Sequence, residues 1–117
     1  MCQVARFQET LRRLVIFDEE LVQAGFGLDV ADESVLDAKT SALLQVAVSV
    51  ALGSSAVCVQ WSAERALAAG ATKDEIVDAL LAIAPVAGLG RVVSAAGEVA
   101  IALGYDVEAA LEAPNDH

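Results

Sequence analysis

Aromatic residues are scarce in this 117-residue chain, at 4%: three Phe, one Trp and one Tyr. Histidine occurs once, as His117 at the tail. The two cysteines, Cys2 and Cys58, are too few for a disulfide framework. Basic residues are also few, 7 against 17 acidic, which leaves a formal charge of −10. A surface this negative repels phosphate backbones and anionic lipid headgroups, so neither nucleic acid nor membrane is an expected partner. The opening MCQVARFQETLRR lacks the apolar core of a secretory signal, so the expected compartment is the cytoplasm. No strand-like alternation, internal repeat or low-complexity segment is found, and no cofactor or metal is expected.

What the chain has in excess is small and branched aliphatic side chains. Hydrophobic residues reach 56%, above the usual ~45–50%. A small domain has a high ratio of surface to volume and cannot hide this much apolar area alone. Part of it is therefore expected at contacts between copies of the chain, in an obligate homo-oligomer. One stretch, Ser41 to Ala63, carries no charge and is long enough to suggest a membrane span. Gly53-Ser54-Ser55 interrupts it, Gln45 and Gln60 lie within it, and no basic flank marks an orientation, so two buried helices meeting at a turn are expected instead.

Helix punctuation orders the rest into a single all-α domain, a bundle of about five to six helices over residues 1–117. Apolar spacing predicts a first helix from Gln8 to Gln23, followed by a loop over residues 26–34. Asp37 is a good N-cap for a second helix reaching Leu52, with Gly53 as its stop. That helix is apolar nearly all round, which predicts a central buried position, and Ser41, Gln45 and Ser49 share one stripe on it. A third helix is expected from Ser54 or Ser55 to Ala69. Thr72-Lys73-Asp74-Glu75 is a capping box opening a fourth, which Pro85 should end or bend near Ala84. Val86 to Gly90 reads as a connection, Arg91 to Leu103 as a fifth helix, and Asp106 as the cap of a short last one before a frayed tail.

From Leu36 to Gly104 the chain resembles the carboxymuconolactone decarboxylase family, which includes the alkyl hydroperoxidase D-like proteins. The resemblance is carried by the helix start Leu36-Asp37-Ala38-Lys39-Thr40, by Val50-Ala51-Leu52-Gly53, by the helix holding Cys58, and by Arg65 through Ile76. It implies an alkyl hydroperoxidase D-like helical fold that assembles as a dimer, trimer or hexamer. In the peroxidase-like members it also implies a CxxCxxxH motif at the third helix and a glutamate on the helix before it. A thiolate there attacks the oxidised substrate, a second cysteine resolves the product as a disulfide, and Glu and His move the proton. Here the first cysteine position is Ser55, the second is Cys58, the histidine is Ser62 and the glutamate is Leu43. Dithiol peroxidase chemistry is therefore expected to be absent.

Cys58 remains the candidate catalytic residue. Ser55, Cys58, Ser62 and Arg65 fall on one helical stripe, and a helix start just upstream would favour the thiolate. The competing reading is a small buried hydrophobe. Gln45, Ser49, Ser55, Trp61, Ser62 and Arg65 are the candidate ligand pocket, suited to a small hydrophobic organic molecule; Trp61 would serve equally as an interface anchor. Arg91 and Glu98, seven positions apart on one face of an apolar helix, either pair between subunits or sit in a cavity, the interface being preferred. Three functions stay open: a ligand-binding protein without the relay, a single-cysteine peroxide-reactive or thiol-dependent enzyme, and a small-molecule decarboxylase or lyase.

Overall fold

The computed structural model describes residues 5–20 and 35–112. The chain divides into two units, Met1–Val35 and Leu36–His117. Six helices lie wholly within the described residues: α1 Arg6–Val15, α2 Ala38–Ala51, α3 Ala56–Ala68, α4 Lys73–Ala87, α5 Leu89–Ala102 and α6 Val107–Glu112; Glu19 and Glu20 are helical as well. No strand occurs among the described residues.

In the first unit, α1 ends at Val15 and does not run on to Gln23 as its apolar spacing suggested. Phe17 takes a positive φ of 58°, and the backbone closes a Schellman turn: Phe17 N–H donates to the Leu14 carbonyl at 3.2 Å and Asp18 N–H to the Arg13 carbonyl at 2.9 Å. Arg13 also pairs with Asp18 at 3.2 Å across the turn. A bulky residue in the left-handed region is rare, which is why periodicity reads straight through it. The expected loop over 26–34, Cys2 and the tail lie outside the described residues.

In the second unit each helix start but one is fixed by a side chain. Asp37 accepts from the Thr40 amide at 2.7 Å, Ser55 from the Cys58 amide at 3.4 Å, and Asp106 from the Ala109 amide at 3.0 Å. The capping box is formed in both directions, with Glu75 N–H donating to Thr72 Oγ1 at 3.0 Å and Thr72 N–H to Glu75 Oε1 at 2.9 Å. Each bond satisfies an amide that the first turn of a helix leaves without a partner. Gly53, Gly70 and Gly104 close α2, α3 and α5 with positive φ and the same pair of backbone bonds seen at Phe17.

Two boundaries differ from expectation. α4 continues through Pro85 to Ala87. The missing proline N–H costs little there because Pro85 and Leu81, whose carbonyl it leaves unmatched, both face solvent. The connection from Val86 to Gly90 shrinks to Gly88, whose φ of 100° turns the chain directly into α5 at Leu89.

Helix α2 packs mainly on α3 and α4, and α5 packs on the same two, so the four make a bundle with α2 and α5 across one diagonal. Val46, Val50, Val59, Ile76, Leu80, Val92 and Val99 fill the interior. Small residues at the crossings, Ala63 and Ala66 among them, are fully buried and let the helices approach closely. α2 is buried on one face only: Ala42, Val46, Ala47 and Val50 point inward, whereas Leu44, Val48 and Leu52 are more than half exposed. The nearly all-round apolar character of this helix therefore leaves an uncovered stripe, not a fully enclosed rod.

Candidate functional site

Two ends of the bundle differ in what their polar groups do. At the amino end of α2, Lys39 pairs with Glu75 at 3.1 Å, tying the LDxKT segment to the capping box of α4. The Thr40 bonds hold the Asp37 carboxyl below the usual carboxylate range. The Thr72 amide, with Lys39 beside it, does the same for Glu75. These groups answer one another.

At the other end, α2 finishes and α3 begins beside the junction of α4 and α5. A cavity of about 720 Å³ opens there, lined by Gly53 and Ser54 from the first connection, Ala87, Gly88 and Gly90 from the second, Ala56 and Val59 of α3, and Arg91, Ser94, Ala95 and Glu98 of α5. The Arg91 guanidinium lies against the Gly53 backbone, where a Cβ would collide with Nη1. Gly53 is thus needed twice, for its φ of 67° and for the space above it. Glu98 is held from α3, with Gln60 Nε2 donating to its Oε2 at 2.6 Å. α5 has no side-chain cap at Gly88, so its first amides also face this end without a side-chain acceptor.

The sequence-predicted residues are distributed differently. Gln45, Trp61 and Arg65 come together: Arg65 Nη1 donates to Gln45 Oε1 at 2.9 Å, and the guanidinium lies 5.0 Å from the centre of the Trp61 ring, a cation–π distance. Ser49 is buried and donates to the Val46 carbonyl at 2.8 Å within its own helix. Ser55 is occupied as the cap of α3, and Ser62 is half-buried. Cys58 is free and exposed, which removes the reading of it as a buried hydrophobe. Gln45 and Ser49 border a shallow, mainly apolar depression of about 360 Å³ with Leu44, Val48, Leu52 and Ser54. Cys58 lines neither this depression nor the larger cavity.

Arg91 and Glu98 both line the cavity. Gly53 was missed as a site residue, because its closeness to Arg91 depends on packing between distant helices. One signal was available: Arg91 is the only Lys or Arg after Lys73. Among the described residues no group of three or more His, Cys, Asp or Glu is placed to hold a metal ion. Nor is any described helix long and apolar enough to cross a membrane.

Fold and site together define an all-α bundle of hairpins with a polar cavity where two connections meet. Residues 17–102 match the carboxymuconolactone decarboxylase family, and the chain belongs to that family. Comparison with curated proteins and with solved structures gives no match.

Proposed function

We propose that this protein is a family member that has lost the dithiol peroxidase relay and binds a small organic molecule in the cavity at the α2–α3 and α4–α5 junctions. The carrying observation is the cavity itself: about 720 Å³, with polar Arg91, Ser94 and Glu98 and apolar Val59 and Ala95 in its lining. Pockets of this size with a few convergent polar groups are the usual setting for small-ligand recognition. The relay positions support the first half of the reading, since Leu43, Ser55 and Ser62 offer neither a resolving thiol nor a base. The working unit is a homo-oligomer, a trimer or hexamer, in which copies cover stripes such as Leu44–Val48–Leu52 and Val93.

A second reading rests on the exposure of Cys58. Its thiolate would attack the terminal oxygen of a hydroperoxide, release the alcohol and become a sulfenic acid, which a small thiol or another chain would reduce. One experiment separates the two. Consumption of tert-butyl hydroperoxide in dithiothreitol is compared for the wild type and Cys58→Ser, while fluorine-detected fragment binding is compared for the wild type and Ser94→Trp, which fills the cavity. The first reading expects peroxide consumption equal in both proteins and fragment binding lost in Ser94→Trp. Peroxide turnover that vanishes with Cys58, beside fragments indifferent to Ser94→Trp, establishes the second.

A further inference from the structure

Resting on the ligand-binding reading above, we infer that the cavity takes a small organic carboxylate bearing a hydrogen-bond donor at its far end, with Arg91 as the anion anchor. The chain is strongly acidic overall, and its last cation stands in this cavity. Among the described residues the side chains of Arg6, Lys73 and Arg91 have no hydrogen-bond or ion-pair partner, whereas Arg12, Arg13, Lys39 and Arg65 each have one, and of the three only Arg91 lines the cavity. Its planar fork suits a carboxylate through two parallel bonds. The uncapped first turn of α5 adds partial positive charge on the same side.

Glu98 sets the other end. It lies two turns further along α5, about 10 Å along the helix axis, and Gln60 already occupies one of its oxygens. A second carboxylate there would be repelled, while a hydroxyl or ammonium would be accepted. The cavity is therefore polarised, positive at Arg91 and negative at Glu98, with Val59 and Ala95 as apolar parts of the same lining. A diacid and a purely apolar molecule each fit one part and not the other. Gly53 is a positioning residue, since it keeps clear the surface on which the guanidinium rests.

The test uses three matched probes, 4-(hydroxymethyl)benzoate, 4-(hydroxymethyl)benzamide and benzoate, each titrated into isotope-labelled full-length protein and followed at the backbone amides of Gly53, Gly90, Arg91 and Ser94. The hydroxy acid is expected to shift these amides and to bind about tenfold or more tightly than the amide, as a charge-assisted bond implies. Arg91→Gln should erase that margin, Arg91→Lys should keep part of it, and added salt should shrink it. Glu98→Ala should erase the preference for the hydroxy acid over benzoate. Circular dichroism of each variant establishes that it is folded. If acid and amide bind equally at these amides, the carboxylate assignment fails and the ligand cavity stands. If no probe moves them while the protein is folded, both readings fail together.

Discussion

The two ends of α2 each gather a few charged and polar side chains, and they do opposite things. At its amino end Asp37, Lys39, Thr72 and Glu75 are all partnered within the chain, by an N-cap, an ion pair and a reciprocal capping box. At its carboxyl end Arg91 rests on Gly53 without an ionic partner, and Glu98 holds one bond from Gln60. A closed set of polar groups has spent its hydrogen-bonding capacity on the fold. An open set, kept in a cavity, still has capacity for something else. Substitutions at the closed end should lower stability and leave ligand binding unchanged, and those at the open end should do the reverse.

The largest effect is expected just inside the closed end. Ile76 is fully buried one turn into α4, so Ile76→Ala should remove roughly 2–5 kcal/mol from the unfolding free energy. Denaturant titration reads it as a lower midpoint at unchanged slope, and a near-neutral result would mean that the closed end does not organise the core. Next comes Gly53→Ala, the one change expected to cross the division. A left-handed φ costs a residue with a Cβ about 1–2 kcal/mol, and the displaced guanidinium should weaken binding of 4-(hydroxymethyl)benzoate as well. Loss of stability with binding intact would separate Gly53 from the site. Thr72→Ala should cost about 1 kcal/mol through loss of one N-cap bond, with binding unaltered.

What could be read ahead of the structure follows the same division. Asp37, Thr72-x-x-Glu75 and Asp106 were legible as helix starts, and Ser55 as one of two candidates with Ser54, because a cap acts within three residues of its own position. Gly53 was legible as a stop for the same reason. The helix through Pro85 and the single-residue turn at Gly88 were not, since each depends on what faces solvent at the end of α4. Phe17 was missed because nothing local marks an aromatic residue for the left-handed region. At the site, Arg91 and Glu98 stood out as isolated charges, but only packing between α2 and α5 brings Gly53 to the guanidinium. The stripe through Cys58 followed from helical spacing alone, and spacing does not say which side of α3 the bundle covers.

Acid should weaken the closed end through two of its carboxyls. Asp37 and Glu75 both titrate below their ordinary range in the folded chain, so folding favours their charged forms. A carboxyl depressed in this way contributes its stability above the unfolded-state value and loses it as pH falls through the folded-state value. The melting temperature should therefore hold down to the ordinary carboxylate range and decline below it. Asp37→Asn should flatten that decline, and an unchanged acid limb in the variant would remove Asp37 from the account.

The smallest effect belongs to the ion pair that most visibly joins two helices. Lys39 and Glu75 meet at 3.1 Å, yet their side chains remain 39% and 37% exposed. Water and salt screen a pair in that setting, and holding a long lysine in one geometry costs side-chain entropy. Glu75 also keeps its bond from the Thr72 amide when the lysine is gone. Lys39→Met, which retains much of the apolar stem, should thus shift the melting temperature only slightly. Whatever shift appears at low ionic strength should fade at high salt, a behaviour the Thr72 bond should not share. A salt-independent loss as large as that of Thr72→Ala would show that the pair, and not the cap, closes this end of the bundle.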